Sequence, residues 1–293
     1  MNQRAASVGD LAADLLSSGK PGRVTRVFQT SAYVRSGEDF LLLLWGKLRS
    51  PMTINVEGRS ATDGIRAEER CELNRNGVSL EQGTIVVNGA AVFRSALLDR
   101  MEVTLPRPEA LKRGVAALKS LYDVSPPGPT LNKDGALRAF VENTLLPIAQ
   151  GDSTRVRSLE SYLPLVGRGG GFTPAGDDFL GGLLATFNFL ARCRKSTQIL
   201  LPRALLRGRT VPESAHVLFC SARGYVDEGM EKLILKSLDG GPSFSDELID
   251  VAHRGHTSGI DMSLGVLLCE AAVVDAENKG RVLEQCLDIL WRP

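Results

Sequence analysis

The sequence predicts an α+β fold: a β-rich, barrel- or sandwich-like N-terminal part over residues 1–107, then a helical part over residues 108–293. Three observations predict it. Between Gly22 and Leu105 the apolar residues alternate or run in blocks of strand length. From Pro106-Arg107-Pro108 onward they recur every three or four residues. The two kinds of stretch are segregated rather than interleaved, which argues against a doubly wound nucleotide-binding fold.

Taken in order, Val8–Ser17 reads as a short amphipathic helix with Leu11, Leu15 and Leu16 on one face, stopped by Gly19-Lys20-Pro21-Gly22. Val24–Val34 alternates loosely, Phe40–Trp45 is a continuous apolar strand, and Met52–Val56 alternates again. Residues 58–82 are polar and read as a loop or weak hairpin. Gly83–Val87 and Ala90–Phe93 flank Asn88-Gly89, the strongest short hairpin signal, and Met101–Leu105 reads as a last strand. Glu109–Leu121 is helical, with Leu111, Val115, Leu118 and Leu121 along one stripe. Ser125–Pro129 breaks the chain, and Ala136–Leu146 and Ser158–Leu163 resume the helical pattern. Beyond residue 176 nearly everything is helical: 177–193, 199–206, 212–223, 226–238, 245–253, 261–275 and 279–290.

The helical part turns on Gly169-Gly170-Gly171-Phe172-Thr173-Pro174-Ala175-Gly176-Asp177-Asp178. Three consecutive glycines permit positive φ and close approach. Thr173 suits an N-cap, with Pro174 at the first helical position. A glycine loop feeding a helix start is an anion site in outline. No Lys-Ser or Lys-Thr follows, so it is not a nucleoside-triphosphate loop. Asp177 and Asp178 would repel a bare anion unless a cation such as Mg²⁺ stands between. The alternative is that both acids merely complement the helix dipole.

The motif is repeated. Residues 171–184 align without gaps to residues 255–268, sharing G-x-T-[PS]-x-x-D-x-x-L-G-x-L-L. Gly181 and Gly265 fall inside the two helices, where glycine costs about 1 kcal/mol against alanine, so a close crossing of the helices there would compensate. Two helix starts would then converge on one ligand. Asp177, Asp178 and Asp261 supply carboxylates, Thr173, Thr257, Ser258 and His256 supply hydrogen bonds, and Gly169, Gly170 and Gly171 form the loop. Arg168 and Arg254 are placed to grip a carboxylate or phosphate. His256 is a candidate acid–base group because its ordinary pKa permits proton exchange near neutrality. The bland reading is two ordinary capped helices, which leaves the paired interior glycines unexplained.

These two motifs resemble the family that includes the AllH subunit of oxamate carbamoyltransferase, a family long labelled only as a domain of unknown function. The resemblance is specific in the glycine motifs and vague in the β part. It implies carbamoyl transfer between oxamate and carbamoyl phosphate, within purine catabolism, performed with partner subunits. The chain departs from the common motif at Ala175, where a serine is usual. The competing reading is a non-catalytic binding or assembly subunit of a metabolic complex.

Composition narrows the class. The formal charge of the 293 residues is +1, which gives no electrostatic footprint for nucleic acid or an anionic membrane. Five scattered cysteines without a CxxC pair suit buried thiols in a cytoplasmic protein, and the longest apolar runs are too short for a bilayer. The spacing of His253 and His256 gives no zinc site.

Overall fold

The structure, a computed structural model, describes residues 2–58, 62–124, 135–151, 159–239, 244–255 and 257–291. The chain divides into two compact units, Met1–Ala96 with Tyr225–Glu228, and Leu97–Gly224 with Gly229–Pro293. The fold class is α+β, as the segregated periodicities predict.

The first unit is a barrel. Its strands are β1 (Gln3–Gly9), β2 (Pro21–Val27), β3 (Ser31–Ser36), β4 (Asp39–Leu44), β5 (Thr53–Val56), β6 (Arg70–Asn74), β7 (Gly77–Leu80), β8 (Gly83–Val86) and β9 (Ala91–Phe93). They run in the order β5-β4-β3-β2-β6-β7-β8-β1, and β1 pairs back onto β5 to close a mixed barrel of 8 strands. Closure removes the unpaired edges that invite aggregation. Alternate residues point inward, so Val24, Val34, Leu41, Leu43, Ile54, Leu73, Val78 and Ile85 share one core with Cys71. Ala12, Leu15 and Leu16 of the Asp10–Ser17 helix join that core, and the helix packs against β1, β4 and β6.

One open reading is settled here and three others change. Of the two readings for residues 58–82 the hairpin holds, as β6–β7, because Cys71, Leu73 and Val78 supply its inward face between polar outward residues. The loose alternation over Val24–Val34 is two strands rather than one. The strand that closes the barrel, β1, was hidden because a bulge between Ala5 and Ser7 breaks its period of two: the core positions are Ala5 and Val8, while Ser7 pairs with Asn55 and donates to its Oδ1 at 2.9 Å. The Asn88-Gly89 pair does not reverse the chain: β8 and β9 both run parallel to β1 along the same edge. The Ala90 N–H donates to Val87 O at 2.9 Å, and Gly89 alone of the central pair has positive φ, +83°. That is a type II turn, whose twist does not suit a two-residue hairpin.

The second unit is helical, and no β strand lies among its described residues. Met101–Leu105 is therefore irregular, since alternation makes no strand without an edge to pair with. The Ser258–Asn278 helix is the hub. It packs on the helices Ala175–Cys193, Pro108–Val124, Val282–Trp291, Phe244–Ala252 and Leu146–Ala149. Its residues from Gly259 to Asp275 are buried with one exception, Met262, which matches a helix lacking a polar face. The expected 199–206 helix shrinks to Arg203–Leu206. Part of Ser158–Leu163 lies outside the described residues, and the rest holds a single 3₁₀ turn, Leu159–Ser161.

Candidate functional site

The two motif helices, Ala175–Cys193 and Ser258–Asn278, cross at glycines. A Cβ on Gly265 would lie 2.1 Å from Phe179 O, and one on Gly182 would lie 2.1 Å from Met262 O. No real Cβ sits so close to a carbonyl oxygen, so any side chain here would push the backbones apart. The gap-free alignment points to Gly181 instead of Gly182. A Cβ on Gly181 would meet only Ser221 Oγ at an ordinary 3.7 Å. The contact thus pairs glycines one position out of step between the two repeats.

Close crossing brings the helix starts together. Thr173 Oγ1 and Ser258 Oγ, one from each motif, are hydrogen-bonded at 2.9 Å. Asp178 lies beside them and is only 3 % exposed. Burial pushes its carboxyl up to about 7, the Ser258 and Thr173 hydroxyls pull it down, and the charge of neighbouring Asp261 raises it further. Its Oδ2 is buried and accepts no hydrogen bond among the described residues. A buried carboxylate oxygen left unsatisfied is costly, so this atom is a natural contact for a ligand donor.

Asp177 has a different surrounding. Its Oδ1 accepts from the Gly167 N–H at 2.7 Å, and its Oδ2 accepts from Ser214 Oγ at 2.7 Å and from Thr210 Oγ1. Burial raises its pKa, while the Thr210, Ser214 and Gly167 hydrogen bonds lower it. The carboxylate is thereby spent on tying the turn before the glycine loop to the start of the Pro212–Ser221 helix. A Mg²⁺ at Asp177 would have to displace these donors. Among the described residues no group of three His, Cys, Asp or Glu side chains could hold a metal ion. Asp177 is thus engaged by three protein donors, whereas Asp178 Oδ2 accepts none among the described residues.

The helix start differs in detail from expectation. Pro174, not Thr173, occupies the N-cap, with extended backbone at ψ 138°. Thr173 is free to face the second motif because Pro174 O already accepts from the Asp177 and Asp178 N–H groups at 2.9 and 3.1 Å. The Gly176 N–H donates to Arg168 O at 2.8 Å. Most of the first-turn amides are therefore engaged, and the site presents hydroxyls and carboxyls rather than bare N–H groups. Gly169 and Gly171 take positive φ, +97° and +100°, and with Gly170 form an exposed loop. Arg168 is exposed on the same loop. Arg254 leans on Gly229, where a Cβ would fall 1.7 Å from its guanidinium nitrogen. Thr257 is the N-cap of the Ser258–Asn278 helix, with no side-chain capping bond, and Asp261 is buried in its first turn. His256 lies outside the described residues.

Sequence reading did not find Gly167, Thr210 and Ser214, which orient Asp177. The run Thr210-Val211-Pro212-Glu213 marks a helix start, but nothing local ties it to a carboxylate 33 residues earlier. Glu270 was also missed. It is fully buried, accepts from Ser237 Oγ at 2.5 Å, and burial pushes its carboxyl up to about 8.

No helix among the described residues is long and apolar enough to cross a membrane. No curated protein and no solved structure matches the chain. Residues 165–270, which contain both glycine motifs and the whole of this hydroxyl–carboxyl cluster, match the family model described as oxamate carbamoyltransferase subunit AllH.

Proposed function

We propose that the chain is a carbamoyltransferase subunit, working with partner subunits, whose paired motifs bind a small carbamoyl-bearing or anionic metabolite. The observation that carries this reading is the Thr173–Ser258 contact with the unsatisfied Asp178 oxygen beside it. A carbamoyl group offers two N–H donors and one carbonyl acceptor. The ionised Asp178 carboxylate accepts from the amino group, and the hydroxyl pair donates to the carbonyl oxygen.

The repulsion expected between an anion and paired aspartates is relieved in two ways. Asp177 is satisfied by three donors, and Asp178 exchanges its proton near pH 7. A protonated Asp178 donates to an anionic oxygen instead of repelling it. In transfer from carbamoyl phosphate to oxamate, the oxamate nitrogen attacks the carbamoyl carbon. The new C–N bond forms, the C–O bond to phosphate breaks, and phosphate leaves with the electron pair. One N–H proton must go elsewhere, and an Asp178 carboxylate titrating near neutrality is matched to take it. Gly169–Gly171 and Arg168 form the rim of the site.

Thermal unfolding with carbamoyl phosphate, oxamate or phosphate tests the reading. A ligand at about 100 times its Kd stabilises by roughly 2.7 kcal/mol. A shift present in the wild type and absent in Asp178→Asn and Ser258→Ala supports the site. A shift that survives both substitutions, or none with any ligand, contradicts it for this chain. In the second case the remaining account is a non-catalytic assembly subunit.

A further inference from the structure

The barrel carries a charged feature unrelated to the paired motifs. Register pairs Arg23 of β2 with Arg35 of β3 on one side and with Arg70 of β6 on the other. All three side chains point outward and are exposed. Paired Cα atoms on neighbouring antiparallel strands are about 5 Å apart, so the three form a row about 10 Å long. Like charges placed directly opposite one another across strands are destabilising. A closed barrel that carries two such pairs in succession is waiting for countercharge.

These arginines line a cavity of about 530 Å³, together with Thr25 and, as the one acid among the described lining residues, Glu68. The described lining residues therefore carry a net formal charge of +2. Arg23 is bridged to Glu68 at 3.2 Å, but that pair is exposed and weakly held. Glu68 has a positive φ of 68°, which is uncommon for a non-glycine residue and clusters at binding sites. Arg35 donates from Nε to Gly37 O at 2.8 Å and lies over the Phe40 ring, so its guanidinium is held in place. The Arg70 side chain makes no hydrogen bond or ion pair among the described residues.

We propose that this row is a binding site for a compact polyanion carrying two phosphate or carboxylate groups. A single anionic group spans two neighbouring arginines, whereas two linked groups span the row, each gripped by guanidinium forks. The cavity is of metabolite size. The Glu68 carboxylate on Arg23 shows the contact that a ligand carboxylate or phosphate would replace.

The test is calorimetric titration of the full chain with pyrophosphate and, separately, citrate, in low-salt buffer free of both. The two probes distinguish a phosphate from a carboxylate ligand, and saturable binding of either supports the proposal. Arg70→Gln and Arg35→Gln should each weaken it at least tenfold. Arg113→Gln, which removes an exposed charge from the helical unit, should leave it unchanged. The proposal is overturned if neither anion binds, if Arg70→Gln and Arg35→Gln bind as tightly as wild type, or if Arg113→Gln weakens binding equally. Arg70 has no partner to lose, so its substitution should leave the circular dichroism spectrum intact.

Discussion

Gly265→Ala is the sharpest probe of how the two motifs are held together. Alanine is the better helix former, and in a loose helix interior this exchange stabilises by about 1 kcal/mol. Here the new methyl would sit 2.1 Å from Phe179 O and 2.9 Å from Leu183 N. Reaching an ordinary contact requires the backbones to separate by more than about 1 Å, and overpacking of this kind costs about 1–3 kcal/mol or more. The expected net effect is destabilisation by about 2 kcal/mol, or a fall in Tm of about 4–8 °C for a unit of this size. Gly181→Ala is the internal control, because its methyl meets nothing closer than 3.7 Å. It should stabilise by up to about 1 kcal/mol. Both are read by differential scanning calorimetry and urea unfolding. If Gly265→Ala were as stable as Gly181→Ala, the close crossing, and with it the geometry of the paired motifs, would be refuted.

Other outcomes follow from the buried polar groups. Asp177→Ala leaves the Gly167 N–H and the Thr210 and Ser214 hydroxyls without their shared acceptor, and should cost about 3 kcal/mol or more in urea unfolding. The folded-state pKa of Asp178 is raised from 3.8 to about 7, so the native state holds a proton that the unfolded chain releases earlier. Stability should therefore fall as pH rises from about 4 to 7, by up to about 4 kcal/mol, and Asp178→Asn should flatten that slope. Glu270, raised from 4.5 to about 8, has the same sign in a window reaching one unit higher, and Glu270→Gln should remove the upper part of the decline. Thr173→Val breaks the hydroxyl pair and should cost about 1 kcal/mol of stability. It should also abolish ligand-induced stabilisation, read by the same thermal scans.

The motifs were legible because capping chemistry and interior glycines are local signals. Thr173, Ser258 and Asp261 could be named from one repeated pattern and Asp178 as the acid beside the repeated Asp177, and the structure brings Thr173, Asp178 and Ser258 together with Asp261 nearby. What repeat alignment cannot give is rotation about the helix axis. Gly182 rather than Gly181 faces the partner because the crossing point depends on how both helices sit in the core. The distinction between the two adjacent aspartates was hidden for a similar reason. Their surroundings come from Gly167, Thr210 and Ser214 for one and from Ser258 and Thr173 for the other, contacts remote in sequence. In the barrel, apolar blocks such as Phe40–Leu44 announced themselves. β1 did not, because the bulge between Ala5 and Ser7 puts its core positions at Ala5 and Val8, out of the strand's period of two. The arginine row is invisible in sequence, since only register aligns Arg35, Arg23 and Arg70.

The central claim is that the paired motifs form one ligand site around Asp178. Selective ¹³C labelling of aspartate carboxyls, with Asp178→Asn to assign the signal, tests it directly. The expected result is a carboxyl signal that titrates near pH 7, disappears in the variant, and shifts its titration when oxamate or carbamoyl phosphate is added. A carboxyl at position 178 that titrates in the ordinary range, or that ignores saturating concentrations of both ligands, would contradict it.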